Sequence, residues 1–114
     1  MSKDKDIFAE DGLNEESEAK LKQRRERELS DIRKILSLPE GRRFVWRIWG
    51  MTGTFRASYI HKDTNHTMFR EGQRDIGMRI LEDINVASPM AYSQMKTEYM
   101  SEQMADKKET KNDD

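Results

Sequence analysis

Along the 114 residues, apolar positions fall into helical rhythms separated by short breaks, and nowhere do they alternate for long enough to make a sheet. The first stretch, "NEESEAKLKQRRERELSDIRKILSL" from Asn14, is rich in strong helix formers, with Asn14 placed to cap it and acids in its first turn. Its apolar residues Leu29, Ile32, Ile35 and Leu36 keep helical spacing only in the second half. The first half is therefore expected to project into solvent or onto a partner. No sustained heptad runs through it, which argues against a stand-alone coiled coil.

"SLPEG" stops that helix and starts another. Ser37 and Glu40 have the spacing of a capping box, and Pro39 falls in the first turn, where a missing N–H costs little. The second helix is expected from Pro39 to about Trp49, ended by Gly50 or Gly53. "TFRASYIHKDTNHT" then reads as an ordered loop anchored by Phe55, Tyr59 and Ile60. A third helix follows from about Thr67 to Asn85, in which Phe69, Gln73, Ile76, Ile80 and Ile84 form one stripe with Gly77 and Leu81 beside it. Gly72 and Gly77 inside a helix suggest close approach of another element. Ser88 and Pro89 have the character of an N-cap and first helical residue for a fourth helix through about Met104, whose apolar surface is Met and Tyr.

These elements define an all-α fold, a small helical domain of three to four helices. Residues 1–13 are expected as a disordered arm, 14–104 as one helical domain with its core at about 30–85, and 105–114 as a disordered tail. The composition agrees with a short folded centre and polar ends: 34% apolar, 38% charged, with a mean hydropathy of −1.03. Met1 to Asp11 has no basic start followed by an apolar run, and no apolar stretch approaches the roughly 20 residues of a membrane span. A soluble protein made in a cytoplasm, without a membrane partner, is the expectation.

Charge adds a division that the net value of −1 conceals. From Ser37 to Leu81 there are eight Lys/Arg against four acids, a balance of +4, which leaves −5 for the remainder. A basic centre lies between acidic flanks. That centre opens with "LPEGRRFVWRIWGMTGTFRASY", which holds both tryptophans. Phe44, Val45, Ile48 and Trp49 share one side of the second helix, while Arg42 with Trp46, and Arg43 with Arg47, form i, i+4 rows. Two readings stay open: large aromatics supply the core of a small domain, with arginine stems covering its edges, or Arg and Trp make a contact surface. Glu40 can reach Arg43, Glu71 can reach Arg74 and Asp75 can reach Arg79 at helical spacing. Arg42, Arg47, Arg56 and Arg70 have no such local acid. Together with Trp46 they are the candidate surface, expected to be partly exposed and to bind a protein partner or nucleic acid.

Candidate chemistry is sparse. Without cysteine there is no disulfide, thiolate nucleophile or cysteine metal site. His61 and His66, five apart, match no metal-pair spacing. Glu82 and Asp83 are adjacent on a helix and so point about 100° apart, poor geometry for a paired acid and base. "EGQRDIG" is not a phosphate-binding glycine loop, and no serine sits in a nucleophile elbow. A non-enzymatic protein without cofactor or metal is expected.

The blocks "LSLPEGRRFVWRIWGMTGTFRASY" and "FREGQRDIGMRILEDI" together resemble a family of small, mostly helical proteins of tailed bacteriophages, especially the short-tailed, podovirus-type ones. The resemblance rests on Pro39 through Phe44 with Trp46, on Phe55 and Arg56, and on Phe69, Glu71, Gly72, Arg74, Gly77 and Leu81. It covers about Ile32 to Ile84. It implies a product of the head and packaging gene module: a minor virion or assembly component at the head interior or portal, located in the virion and, during assembly, in the host cytoplasm. Portal, capsid or ejection proteins are the implied partners, with DNA as a further one and an oligomeric arrangement in the virion. A nucleic-acid-binding accessory of packaging or ejection, or a small effector that binds a host protein, are the alternatives. The family brings no catalytic residues to carry over.

Overall fold

The computed structural model describes residues 11–56 and 63–113, with side chains for 16–56 and 63–111. Among the described residues there are four helices and no strand: α1 (Asp11–Leu36), α2 (Pro39–Thr52), α3 (Thr64–Ala87) and α4 (Ala91–Asp113). The all-α expectation holds. The expected arm up to residue 10, and the loop residues Tyr59, Ile60 and His61, lie outside the described residues.

The helix boundaries follow local chemistry, in places other than those the sequence suggested. α1 is already helical at Asp11, the first described residue, so Asn14 lies within the helix rather than capping it. Ser37 forms no capping box; its hydroxyl donates back to the Lys34 carbonyl at 2.6 Å, because the last carbonyls of α1 lack helical partners and are the nearer acceptors. Leu38, in extended conformation, precedes α2 without a side-chain cap, and Pro39 opens the helix. Gly50 lies within α2, and Gly53, at φ 63°, ends it; a positive φ strains any residue with a Cβ. α3 starts earlier than expected because the Asp63 carboxylate accepts from the His66 N–H at 2.9 Å. Ser88 closes α3, donating its N–H to the Ile84 carbonyl at 2.7 Å, so the expected N-cap of the fourth helix is a C-cap, and α4 begins at Ala91.

The tail expected to be disordered after Ala105 is helix through Asp113. Alanine, lysine, glutamate and methionine there are strong helix formers, although every side chain from Ser101 to Lys111 is exposed.

The core sits where α2 meets the ends of α1 and α3 and the start of α4. Leu36, Val45, Trp49, Ile84, Ala91 and Met95 are buried together, with Ile32, Trp46, Ile80, Leu81 and Tyr92 packed against them. Burying a side chain such as Ile84 stabilises by about 1.5–3 kcal/mol. α1 lies along the C-terminal half of α3, tied by Arg25 to Asp83 at 2.8 Å and by Arg33 Nε to the Ala87 carbonyl at 2.8 Å.

α3 is rotated relative to the expected stripe. Gly77, Ile84 and Ala87 are its buried residues, whereas Phe69 and Ile76 are 64% and 57% exposed. Contact with α2 sets this rotation: Trp49 Nε1 donates to the Gly77 carbonyl at 3.1 Å, and a Cβ on Gly77 would overlap the Thr54 and Thr52 hydroxyls. Only a residue without a side chain admits that approach, as the glycine suggested. Gly72 has nothing within 4 Å of the corresponding position, so it marks no close approach.

The molecule is long and flat. Its radius of gyration is 20.6 Å and its extents are 73 × 42 × 19 Å, against about 13 Å for a compact domain of this length. α1 from Glu16 to Arg24 and α4 from Ser101 carry only exposed side chains and reach beyond the shared core as single helices.

Candidate functional site

α2 presents two faces of unequal character. Arg42, Val45 and Trp49 point inward and are buried, while Arg43, Phe44, Arg47 and Met51 are exposed. Trp46 lies at the edge between them, half-buried. Its indole is 6.1 Å from Tyr92 in a stacked arrangement and 5.3 Å from Tyr99. It also meets Trp49 edge-on at 6.0 Å and Phe55 at 6.4 Å. Phe55 in turn lies 5.5 Å from Trp49 and 5.3 Å from Tyr92. Five rings from α2, the turn after it and α4 thus form one cluster, with separations typical of favourable aromatic pairs.

Above this cluster, between α2 and α4, runs an open groove of about 870 Å³. Trp46, Phe55 and Tyr99 line it, with Arg43, Arg47 and Arg56 along one side and Glu98 and Glu102 along the other. Such a groove has an aromatic floor, a cationic rim and an acidic rim.

The predicted site residues are distributed unequally around it. Arg42 is buried rather than partly exposed: Nε and Nη2 each donate to a Glu98 carboxylate oxygen at 2.9 Å, and Nη1 donates to the Leu36 carbonyl at 2.8 Å. The hydrogen bond to Glu98 raises its pKa above the ordinary arginine value against the opposing effect of burial, so it stays charged throughout the accessible pH range. Arg42 is a brace, joining α2 to Glu98 on α4 and to the Leu36 carbonyl at the end of α1. Arg47 is exposed, its guanidinium carbon 5.8 Å from the centre of the Phe44 ring. Arg56 donates to the Gly50 carbonyl, folding the turn against the end of α2. Arg70 is half-buried on α3 and does not line the groove. The structure therefore gathers Arg42, Trp46, Arg47 and Arg56 at one place and leaves Arg70 out.

Sequence spacing missed other members. Arg43 was assigned to Glu40, but no ion pair joins them among the described residues, and Arg43 lies open on the groove. Arg74–Glu71 and Arg79–Asp75 do form, at 3.9 and 3.0 Å. Glu98, Tyr99 and Glu102 come from the fourth helix, whose Tyr and Met were read only as an adaptable apolar surface. The i, i+7 spacing of Tyr92 and Tyr99 was the signal that one face of α4 is aromatic. Phe44 and Trp49, equal candidates for the core, divide: Trp49 is 2% exposed and Phe44 54%.

Residues 32–97 match the Bbp19-like phage protein family, and over that majority of its length the chain belongs to it. The matched span extends past Ile84 into the first half of α4, so the helix expected to lie outside the resemblance carries part of it. No curated protein and no solved structure matches the chain. Among the described residues no helix is long and apolar enough to cross a membrane, and no three His, Asp or Glu converge as metal ligands.

Proposed function

We propose that this phage protein works by docking rather than catalysis, as a minor virion or assembly component at the head interior or portal, and that the groove between α2 and α4 is its contact surface. The observation that carries this reading is the open aromatic floor, half-buried Trp46 with exposed Phe55 and Tyr99, bounded by Arg43, Arg47 and Arg56. Aromatic and arginine side chains dominate binding hot spots because they combine large apolar area with directed polar contacts. An open groove with an apolar floor and charged rims offers a surface for a protein segment. Portal, capsid or ejection proteins of the short-tailed phages are the partners proposed.

The acidic rim favours a protein over DNA at this groove. Glu98 is already paired with Arg42, but Glu102 faces the same space as the arginines, and a phosphate backbone entering it would meet that carboxylate. A protein segment carrying both signs of charge would not.

Quantitative peptide mapping of purified particles and of assembly intermediates tests the reading. Low-copy presence in either is expected. Absence from both, with the protein recovered bound to a host protein, would overturn it in favour of an effector of the host.

A further inference from the structure

The face of α4 that enters the core through Ala91, Met95 and Glu98 does not end there. At the same spacing it continues as Glu102, Asp106 and Glu109, all exposed. These acids stand three and four residues apart, so each is the helical neighbour of the next, an arrangement that opposes the helix. Lys107, Lys108 and Lys111 stand at neither i±3 nor i±4 from any of them. The outer half of α4 thus separates its charges onto different faces instead of interleaving them, and beyond Glu102, which borders the groove, its described side chains are all exposed. A single helix of this kind gains stability from cations supplied by another molecule.

α1 carries the matching row. Lys20, Arg24 and Arg27 follow the same four-then-three spacing and, with Gln23, line a shallow concavity of about 390 Å³. Arg24 and Arg27 make no ion pair among the described residues, and Lys20 has only a 4.0 Å contact with Glu16. The row lies off the face that α1 buries through Leu29, Ile32 and Leu36. No ion pair between described residues joins α1 to α4 within the chain.

We propose that a second copy of this chain docks its α1 row, Lys20, Arg24 and Arg27, against the α4 row, Glu102, Asp106 and Glu109. Two helices laid side by side with equal spacing bring the three cations opposite the three carboxylates in register. In a two-fold pair each copy presents both rows, so the contact is made twice. The assembly is electrostatic and weakens with salt.

Charge exchange tests this on the full chain by sedimentation velocity at low and high salt. Wild type is expected to self-associate at low salt, with affinity falling by about tenfold or more at high salt. Changing Glu102, Asp106 and Glu109 together to Lys, or Lys20, Arg24 and Arg27 together to Glu, is expected to leave each variant monomeric. An equimolar mixture of the two recovers a dimer, because the unchanged rows then face each other at one contact and the reversed rows at the other. Circular dichroism follows the helix, and a neutral variant, Glu102→Gln with Asp106→Gln and Glu109→Gln, removes the attraction without adding like charge; it should weaken self-association while keeping the helix. A wild type that is monomeric at every concentration in low salt overturns the proposal. So does a loss confined to one of the two reversed rows, or a mixture that stays monomeric.

Discussion

Arg42 on α2 grips both carboxylate oxygens of Glu98 on α4, 56 residues further along the chain, and with its remaining arm holds the Leu36 carbonyl at the end of α1. One side chain therefore ties three helices at a point. The two-pronged contact fixes the orientation as well as the distance of α4, and with it the spacing between Trp46 and Tyr99 at the groove. Removing either partner leaves the other's polar groups without their designed contact.

Arg42→Ala is accordingly expected to lower the thermal midpoint more than Glu98→Ala. The arginine serves two acceptors, whereas the carboxylate is partly solvated and loses one partner. Thermal unfolding followed by circular dichroism measures the order of the two variants. An unchanged midpoint for Arg42→Ala would show that the brace does not hold the fold.

Two glycines on α3 should respond oppositely to alanine. At Gly77 the added Cβ runs into the Thr52 and Thr54 hydroxyls, and overpacking is expected to destabilise by about 1–3 kcal/mol. At Gly72 there is open space, and alanine should stabilise by about 0.5–1 kcal/mol through its better helix propensity. Urea denaturation compares the two on one scale.

Ile84→Ala is expected to cost about 2–5 kcal/mol, as a buried large-to-small change. Ile76→Ala, on the exposed face of the same helix, should stay within about 0.5 kcal/mol of wild type. Chemical denaturation of both variants checks the rotation of α3. Equal losses at the two positions would restore the stripe that periodicity suggested.

At the groove, Arg43→Glu combined with Arg47→Glu should reduce incorporation into particles by about tenfold with an unchanged thermal midpoint, since both side chains are exposed. Trp46→Ala is expected to reduce incorporation and stability together. Its indole packs against four rings, and the stability loss should fall below the about 3–5 kcal/mol of a fully buried tryptophan. Quantitative mass spectrometry of particles, paired with melting curves, separates the two effects.

Helix number and order were legible from local properties alone. Pro39 sets the start of α2, Gly53, the one positive-φ glycine among the described residues, its end, and the pairs Arg74–Glu71 and Arg79–Asp75 form because both members lie on one helix face. Each of these depends on residues within about one turn of one another. The rotation of α3 did not follow from hydrophobicity. The face that packs is the one with a glycine at the crossing, and steric fit against Trp49 and Thr54 outweighed the apolar area of Phe69 and Ile76. Arg42 looked uncommitted because its partner lies at no helical spacing from it, and Phe44 looked as apolar as Trp49 until packing placed one outside and the other within. Local sequence decides which segments coil and where they stop, since those energies are local. Which faces meet, and which arginines remain available to a partner, is decided by contacts between residues far apart in the chain, and only the folded arrangement specifies them.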